Sequence, residues 1–167
     1  MTTIQGVELV TAGAGPSLAA GAAGRRDPTL RLQWHKIMTG ALRHAWTSLA
    51  VVTTGPAASS LDVARALTDA IRYYRMLPAE LMDASGVTRA SVGAILERIA
   101  STDRGLLIVG LDSFLDNPMA IVVAQAAQAS LLCVTLGQTE TKAAAEALEI
   151  IRATTIGSVV LRPRSGK

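Results

Sequence analysis

From residue 29 onward, short apolar runs alternate with longer amphipathic segments. The short runs are nearly continuous in apolar character, which is typical of buried strands; they cover 48–54, 80–83, 105–111, 130–136 and 157–162. In the longer segments apolar residues recur every three or four positions, as in helices; these cover 30–44, 61–75, 88–100, 119–128 and 140–153. The alternation predicts a three-layer α/β fold with about five core strands in a mostly parallel sheet and helices on both faces.

The regular pattern also divides the chain. Residues 11–28 are rich in Gly, Ala, Ser and Pro, so we expect a flexible lead-in over 1–28. Residues 29–167 are expected to form a single domain that opens with the amphipathic helix at 30–44, because 167 residues suit one core better than two.

Composition and charge narrow the class of protein. Half of the residues are hydrophobic and 17% are charged, which excludes a disordered chain. The net charge of +3 is concentrated between residues 25 and 44, where five Lys or Arg residues face one Asp. This basic segment is either a solvated helix face or a surface for nucleic acid, anionic lipid or an acidic protein. Nucleic acid is not expected as a partner, because aromatic residues make up only 3% of the chain. Candidate interface residues on the leading helix are Trp34, Lys36, Ile37 and Arg43.

Several features bear on cellular location and metal chemistry. The first ten residues lack the basic start and long apolar stretch of a secretory signal. Segment 118–136 is uncharged and as long as a membrane span, but polar residues interrupt it and its pattern predicts a helix followed by a strand. We therefore expect a soluble cytoplasmic protein.

The Cys and His residues do not predict a metal site. His35 and His44 lack metal-ligand spacing, and the single cysteine, Cys133, is expected to be a packed core thiol.

The loop after the strand at 48–54 has the setting of a phosphate-binding P-loop. The strand ends in Thr-Thr-Gly55-Pro56, small residues follow, and a helix begins near residue 61. In a working P-loop, backbone N–H groups and the helix N-terminus hold the phosphates, a lysine neutralises them, and Ser or Thr holds Mg²⁺.

Four segments carry a resemblance to a known family; they are 32–44, 49–56, 80–85, and 105–109 taken with 131–139. Over about Leu32 to Leu161 the chain resembles the cytoplasmic ATPase domain of the bacterial tyrosine kinases of exopolysaccharide synthesis. That family belongs to the deviant P-loop group with the MinD and ParA proteins. The resemblance implies a P-loop NTPase-like fold and a role in making or exporting a polysaccharide of the capsule, cellulose or adhesin type.

The chain departs from that family at its diagnostic positions. The glycine before the P-loop lysine falls on Ser59, the lysine on Ser60, and the Mg²⁺-holding hydroxyl on Leu61. Asp62 adds negative charge where a phosphate would bind. The Walker B aspartate falls on Gly110. The resemblance therefore implies a vestigial nucleotide loop at Gly55, Pro56 and 59–62, with no catalytic residue.

Three residues stand where they could compensate for these losses. Arg65, one helical turn after the loop, could supply a cation for a phosphate. Asp83 matches the first residue of the family's second acidic motif, although a lone aspartate there is typical of a strand-end turn. Asp112 lies two residues beyond Gly110 and could hold a metal ion or a water molecule. The oligomerisation motif of the family, Glu, Arg and Arg at three-residue spacing, is occupied by residues 33, 36 and 39 with little of its charge.

Three functions remain open. The first is a non-catalytic accessory or regulatory protein of exopolysaccharide synthesis and export, a degenerate kinase-like domain that acts through protein contacts. The second is an active nucleotide-binding ATPase or kinase that uses displaced residues, and only this one needs ATP and Mg²⁺. The third is an α/β module whose basic N-terminal helix binds a membrane or an acidic partner. We expect a homo-oligomer whose partner protein is a membrane-embedded component of polysaccharide synthesis or export, and a place in the cytoplasm or at the inner membrane surface.

Overall fold

The computed structural model describes residues 7–11, 28–55 and 60–163. In chain order its elements are β1 (Val7–Thr11), α1 (Pro28–Ala41), β2 (Ser48–Thr53), α2 (Ser60–Arg75), β3 (Ala79–Asp83), α3 (Val92–Ala100), β4 (Leu106–Leu111), α4 (Met119–Ala126), β5 (Ala129–Thr135), α5 (Thr141–Ile150) and β6 (Thr155–Pro163).

The strands form one sheet in the order β1-β6-β5-β2-β4-β3, and every neighbouring pair is parallel. The predicted α/β architecture is confirmed, but the sheet has six strands where about five were predicted. The additional strand, Val7–Thr11, lies inside the segment predicted as a flexible lead-in and pairs with β6. It covers an edge of β6 that would otherwise expose unpaired backbone groups. The Gly- and Ala-rich part of the lead-in, 12–27, lies outside the described residues.

Two apolar layers enclose the sheet. Along β2, Leu49 and Val51 face a cluster that includes the buried side of α1 and α2, while Ala50 and Val52 face a cluster with residues of α3, α4 and α5. All four of these strand residues are completely buried. Burial of a Val or Leu side chain contributes about 1.5–3 kcal/mol, so both faces of β2 stabilise the fold. The predicted three layers are thereby confirmed.

Local hydrogen bonds explain where two helix boundaries differ from the predictions. Helix α1 ends at Ala41, not near residue 44, because the buried indole Nε1 of Trp46 donates to the Ala41 carbonyl at 2.8 Å. Helix α3 is assigned from Val92, and the turn before it begins at the predicted residue 88. There the Thr88 N–H donates to Ser91 Oγ at 3.0 Å and the Ser91 N–H donates to Thr88 Oγ1 at 3.3 Å, while the Val92 N–H donates to the Thr88 carbonyl at 2.9 Å. The reciprocal bonds resemble a capping box, which satisfies backbone groups where a helix starts.

The uncharged segment 118–136 divides into α4 and β5, as its pattern predicts. Across the described part of the chain, no helix combines the length and hydropathy that a bilayer span requires.

Parallel pairing gives the sheet two distinct edges. All strands end at one of them, here called the carboxyl edge, and begin at the other, the amino edge. The chain leaves β2 towards β4 and β3 but leaves β5 towards β6, so the topological switch point lies between β2 and β5. Ligands of open parallel sheets bind at the carboxyl edge beside such a point.

Candidate functional site

The segment predicted as a vestigial nucleotide loop has its described residues, Gly55 and 60–62, at the carboxyl edge beside β2 and at the start of α2. Gly55 follows β2, and its carbonyl accepts a hydrogen bond from Thr53 Oγ1 at 3.0 Å. Pro56 and Ser59 lie outside the described residues. Ser60, which the resemblance matches with the P-loop lysine, begins α2, and its buried hydroxyl donates to the carbonyl of Leu111 at the end of β4. The Ser60 side chain therefore joins α2 to the sheet.

Gly110, which the resemblance matches with the Walker B aspartate, packs directly against the first turn of α2. A Cβ atom added there would lie 3.0 Å from Leu61 Cα and 3.3 Å from Leu61 Cδ1. Carbon atoms in favourable contact lie about 3.5–4.0 Å apart. A carboxylate at this position would therefore require α2 to shift, because Leu61 occupies the space beside the strand.

Arg65 and Asp62 form an ion pair within α2. Arg65 Nη1 lies 3.7 Å from Asp62 Oδ1, and 45% of the Arg65 side chain is exposed. Such a surface pair contributes little to stability. The pair also has an electrostatic consequence. The positive charge of Arg65, which was predicted as a possible substitute for a P-loop lysine, is offset by the negative charge of Asp62.

The two aspartates that could hold a metal ion have structural partners. Asp83 Oδ1 accepts a hydrogen bond from the Ser85 N–H at 3.0 Å, the turn geometry typical of a strand-end aspartate. Asp112 Oδ2 accepts the Gly86 N–H and lies 3.3 Å from Asn117 Nδ2. Gly86 has a φ of +67°, which glycine adopts without strain. Asp112 thus connects the loop after β3 with the loop after β4.

Asn117 completes this network and was missed by the sequence reasoning. Its amide donates to the Val87 carbonyl at 3.0 Å, and its Oδ1 accepts the Met119 N–H at 3.1 Å, at the start of α4. The Asn-Pro step before α4 was an available signal, since Asn favours such helix-start positions.

Threonine hydroxyls fill the switch point between β2 and β5. Thr54 Oγ1 lies 3.2 Å from the Cys133 carbonyl and 3.2 Å from Thr139 Oγ1, which also accepts the Thr135 N–H at 3.0 Å. Thr135 Oγ1 is buried and has no hydrogen-bond partner among the described residues. The sequence reasoning gave these threonines no role, although their position at strand ends was a visible signal.

Cys133 is an inert core residue, as predicted. It is fully buried, and desolvation raises its pKa to about 12, so the thiol stays protonated at neutral pH. Within the described ranges, His, Cys, Asp and Glu side chains form no group of three or more that could hold a metal ion. Lys142, in the first turn of α5, is 85% exposed and pairs with Glu146 at 3.7 Å.

The four residues predicted as an interface on the leading helix do not share one surface. Lys36 on α1 and Arg43 just after it are exposed, whereas Trp34 is half-buried and packs against the core. Ile37 is 4% exposed and belongs to the apolar cluster between α1 and the sheet. Ile37 therefore offers little surface to a partner, because the stripe of the amphipathic helix that contains it faces the core of its own domain.

Comparisons with known proteins find a similar fold but no relative by sequence. No protein-family model matches the chain, and no curated protein matches it significantly in sequence. Among solved structures, the crystal structure of the chimerical protein CapA2B2 is similar over 95% of each chain, with a TM-score of 0.67 and 12% identity. Identity this low makes the likeness one of fold, and the chain therefore shares a three-layer parallel α/β fold with CapA2B2.

Proposed function

We propose that this protein is a non-catalytic accessory or regulatory factor whose degenerate P-loop domain acts through protein contacts and not through nucleotide turnover. The observation that carries the proposal is the contact between Gly110 and Leu61. A Cβ at Gly110 would lie 3.0 Å from the α2 backbone, where a P-loop ATPase needs a metal-associated carboxylate.

The neighbouring groups support the same conclusion. Ser60 uses its hydroxyl on the backbone of β4, and Asp112 uses a carboxylate oxygen on the Gly86 N–H. A magnesium nucleotide would need these groups to break their present bonds. Losing the neutral bond of Ser60 costs about 0.5–1.5 kcal/mol, and losing the charged bond of Asp112 costs about 1.5–3 kcal/mol. The residues present therefore do not fit ATP and Mg²⁺, and we expect neither as a cofactor.

The proposed setting is the synthesis and export of an extracellular polysaccharide. Two observations support it: the resemblance of four segments to the ATPase domain of exopolysaccharide tyrosine kinases, and the fold shared with CapA2B2. In this setting the partner is a membrane-embedded component of synthesis or export. The protein itself then lies in the cytoplasm or at the inner membrane surface and assembles as a homo-oligomer.

Calorimetric titration of the full chain with ATP and Mg²⁺ tests the proposal. We expect no binding heat for wild type and no release of phosphate. Micromolar binding that Arg65→Ala abolishes would overturn it. Arg152→Ala is the matched control, because Arg152 pairs with Glu149 at the same three-residue spacing as Arg65 with Asp62. Hydrolysis that is lost in Asp112→Asn, with the thermal melt preserved, would establish the active ATPase instead.

A further inference from the structure

The amino edge of the sheet carries a basic depression. It lies where β3 and β4 begin and has a volume of about 350 Å³. Three arginines line it, Arg72, Arg98 and Arg104, together with Glu80 and Pro78. They come from α2, α3 and the loop before β4, so the fold alone brings them together.

The positive charge of this depression is only partly neutralised. Arg98 forms an ion pair with Glu80. Arg72 donates from Nε to the Ala79 carbonyl at 2.7 Å, a bond that holds its guanidinium in place at the rim. Arg104 has no ion-pair partner within the described residues. Excess positive charge in a concave surface attracts anions, and a guanidinium that is already held in position loses less entropy on binding a carboxylate.

A group of exposed apolar side chains, here called the apolar border, lies in the chain between two residues that line the depression, Arg72 and Pro78. Tyr73, Met76 and Leu77 are 70%, 87% and 43% exposed. The ring of Tyr73 packs edge-on against Tyr74 at 4.9 Å, so it is held on the surface. Met76 has a φ of +51°. It is the residue directly after α2, where helices commonly end in the left-handed conformation, but glycine usually occupies that position, so a methionine there carries strain.

We propose that the arginine depression and this apolar border together dock a partner protein through a short acidic segment. Carboxylates of the segment would bind Arg72 and Arg104, and one or two large apolar side chains would pack on Tyr73, Met76 and Leu77. Tyr, Met and Arg are the residue types enriched in protein interfaces. A lipid surface fits less well, because membrane-surface binding uses one flat amphipathic helix. The inference rests on the proposed function in one respect: that function requires a partner.

Selection from a random-peptide display library against the full chain tests the inference. We expect the enriched peptides to combine acidic residues with at least one Leu, Phe or Tyr. Fluorescence anisotropy then measures the affinity of the best labelled peptide. Arg104→Glu is expected to weaken binding about tenfold or more, and the loss should shrink as salt rises. Met76→Gly removes apolar contact while relieving the positive φ, so we expect weaker binding by a protein that folds at least as well.

Matched controls lie elsewhere on the surface. Arg89→Glu makes the same charge change in an exposed turn before α3, and Leu115→Gly removes an apolar side chain that is 65% exposed. Both should bind the peptide like wild type.

The inference is overturned if no peptide is enriched, if enriched peptides lack acidic residues, or if Arg104→Glu and Met76→Gly bind normally. It is also overturned if vesicles containing phosphatidylserine bind more tightly than the peptides with the same dependence on Arg104. Nucleotide calorimetry is a separate measurement, so failure of this inference leaves the proposed function intact.

Discussion

The two edges of the sheet use their polar groups in opposite ways. At the carboxyl edge, the Ser60 hydroxyl donates to the Leu111 carbonyl, and Asp112 accepts from Gly86 and Asn117. At the amino edge, Arg104 has no ion-pair partner among the described residues, and Met76 is 87% exposed. A polar group that is already satisfied has little free energy to offer a ligand. Parallel sheets ordinarily bind ligands at the carboxyl edge, but here the polar groups of that edge hydrogen-bond to one another and stabilise the fold. The opposite edge presents the positive charge of Arg104, which is unpaired within the described part of the chain.

The largest expected effect is on the rate at which a thiol reagent labels Cys133, which lies in the central strand β5 near the carboxyl edge. Because Cys133 is fully buried and its pKa is raised to about 12, we expect a thiol reagent to label the folded protein at least ~10³-fold more slowly than the urea-unfolded chain. The measurement is absorbance after addition of Ellman's reagent, and Cys133→Ala provides the blank. Rapid labelling without global unfolding would mean that the carboxyl edge opens at Thr54, which would contradict a closed and stable carboxyl edge.

The next effect tests the closed contact between α2 and β4. Gly110→Asp introduces the acid that the resembled kinase family carries at the matching position. It places a carboxylate against Leu61 and should lower the free energy of unfolding by about 3 kcal/mol or more. Urea denaturation measures the loss. Gly93→Asp is the control, because an added Cβ there meets no atom within 4 Å and an acid in the first turn of α3 is favourable. A stable Gly110→Asp protein that binds Mg²⁺ would contradict a closed site.

A smaller loss is expected when the acceptor that joins the two loops is removed. Asp112→Ala leaves the Gly86 N–H and the Asn117 amide without this carboxylate, so the free energy of unfolding should fall by about 1–3 kcal/mol. The exposed Asp116 provides the control, since Asp116→Ala should change stability by less than about 0.5 kcal/mol. Equal melting of the two variants would show that Asp112 is not a structural residue and would return it to the list of candidate ligands.

The smallest effect has the opposite sign and lies at the amino edge. Met76→Gly relieves a left-handed backbone conformation that costs an L-residue about 1–2 kcal/mol, although glycine also gains freedom in the unfolded chain. We expect a net gain of about 0.5–1 kcal/mol in urea denaturation. Leu77→Gly, which changes the neighbouring residue without a positive φ to relieve, should lose stability. A loss in Met76→Gly would indicate that the methionine side chain stabilises its own fold, which would weaken the case for docking.

Part of the candidate site was predictable and part was not. The order of strand, loop and helix predicts a phosphate-loop setting at residues 55–62, because a strand ending in Thr-Thr-Gly before a helix is visible in one dimension. Periodicity shows that α1 has an apolar stripe but not which neighbour covers it, so the burial of Ile37 within its own domain is not visible in the sequence. The strand Val7–Thr11 was not predictable either, since its five residues become a strand only when β6 lies beside them.

The sequence alone determined the layered α/β architecture and the identities of Ser60 and Gly110, because continuous apolar runs and residue identities are local properties. Only the tertiary structure decided what these residues contact. The contact between Gly110 and Leu61 joins residues 49 positions apart in the chain, and the basic depression gathers arginines from three separate segments. Such proximity depends on how strands pair and helices cross the sheet, and these long-range choices follow from packing the whole core at once.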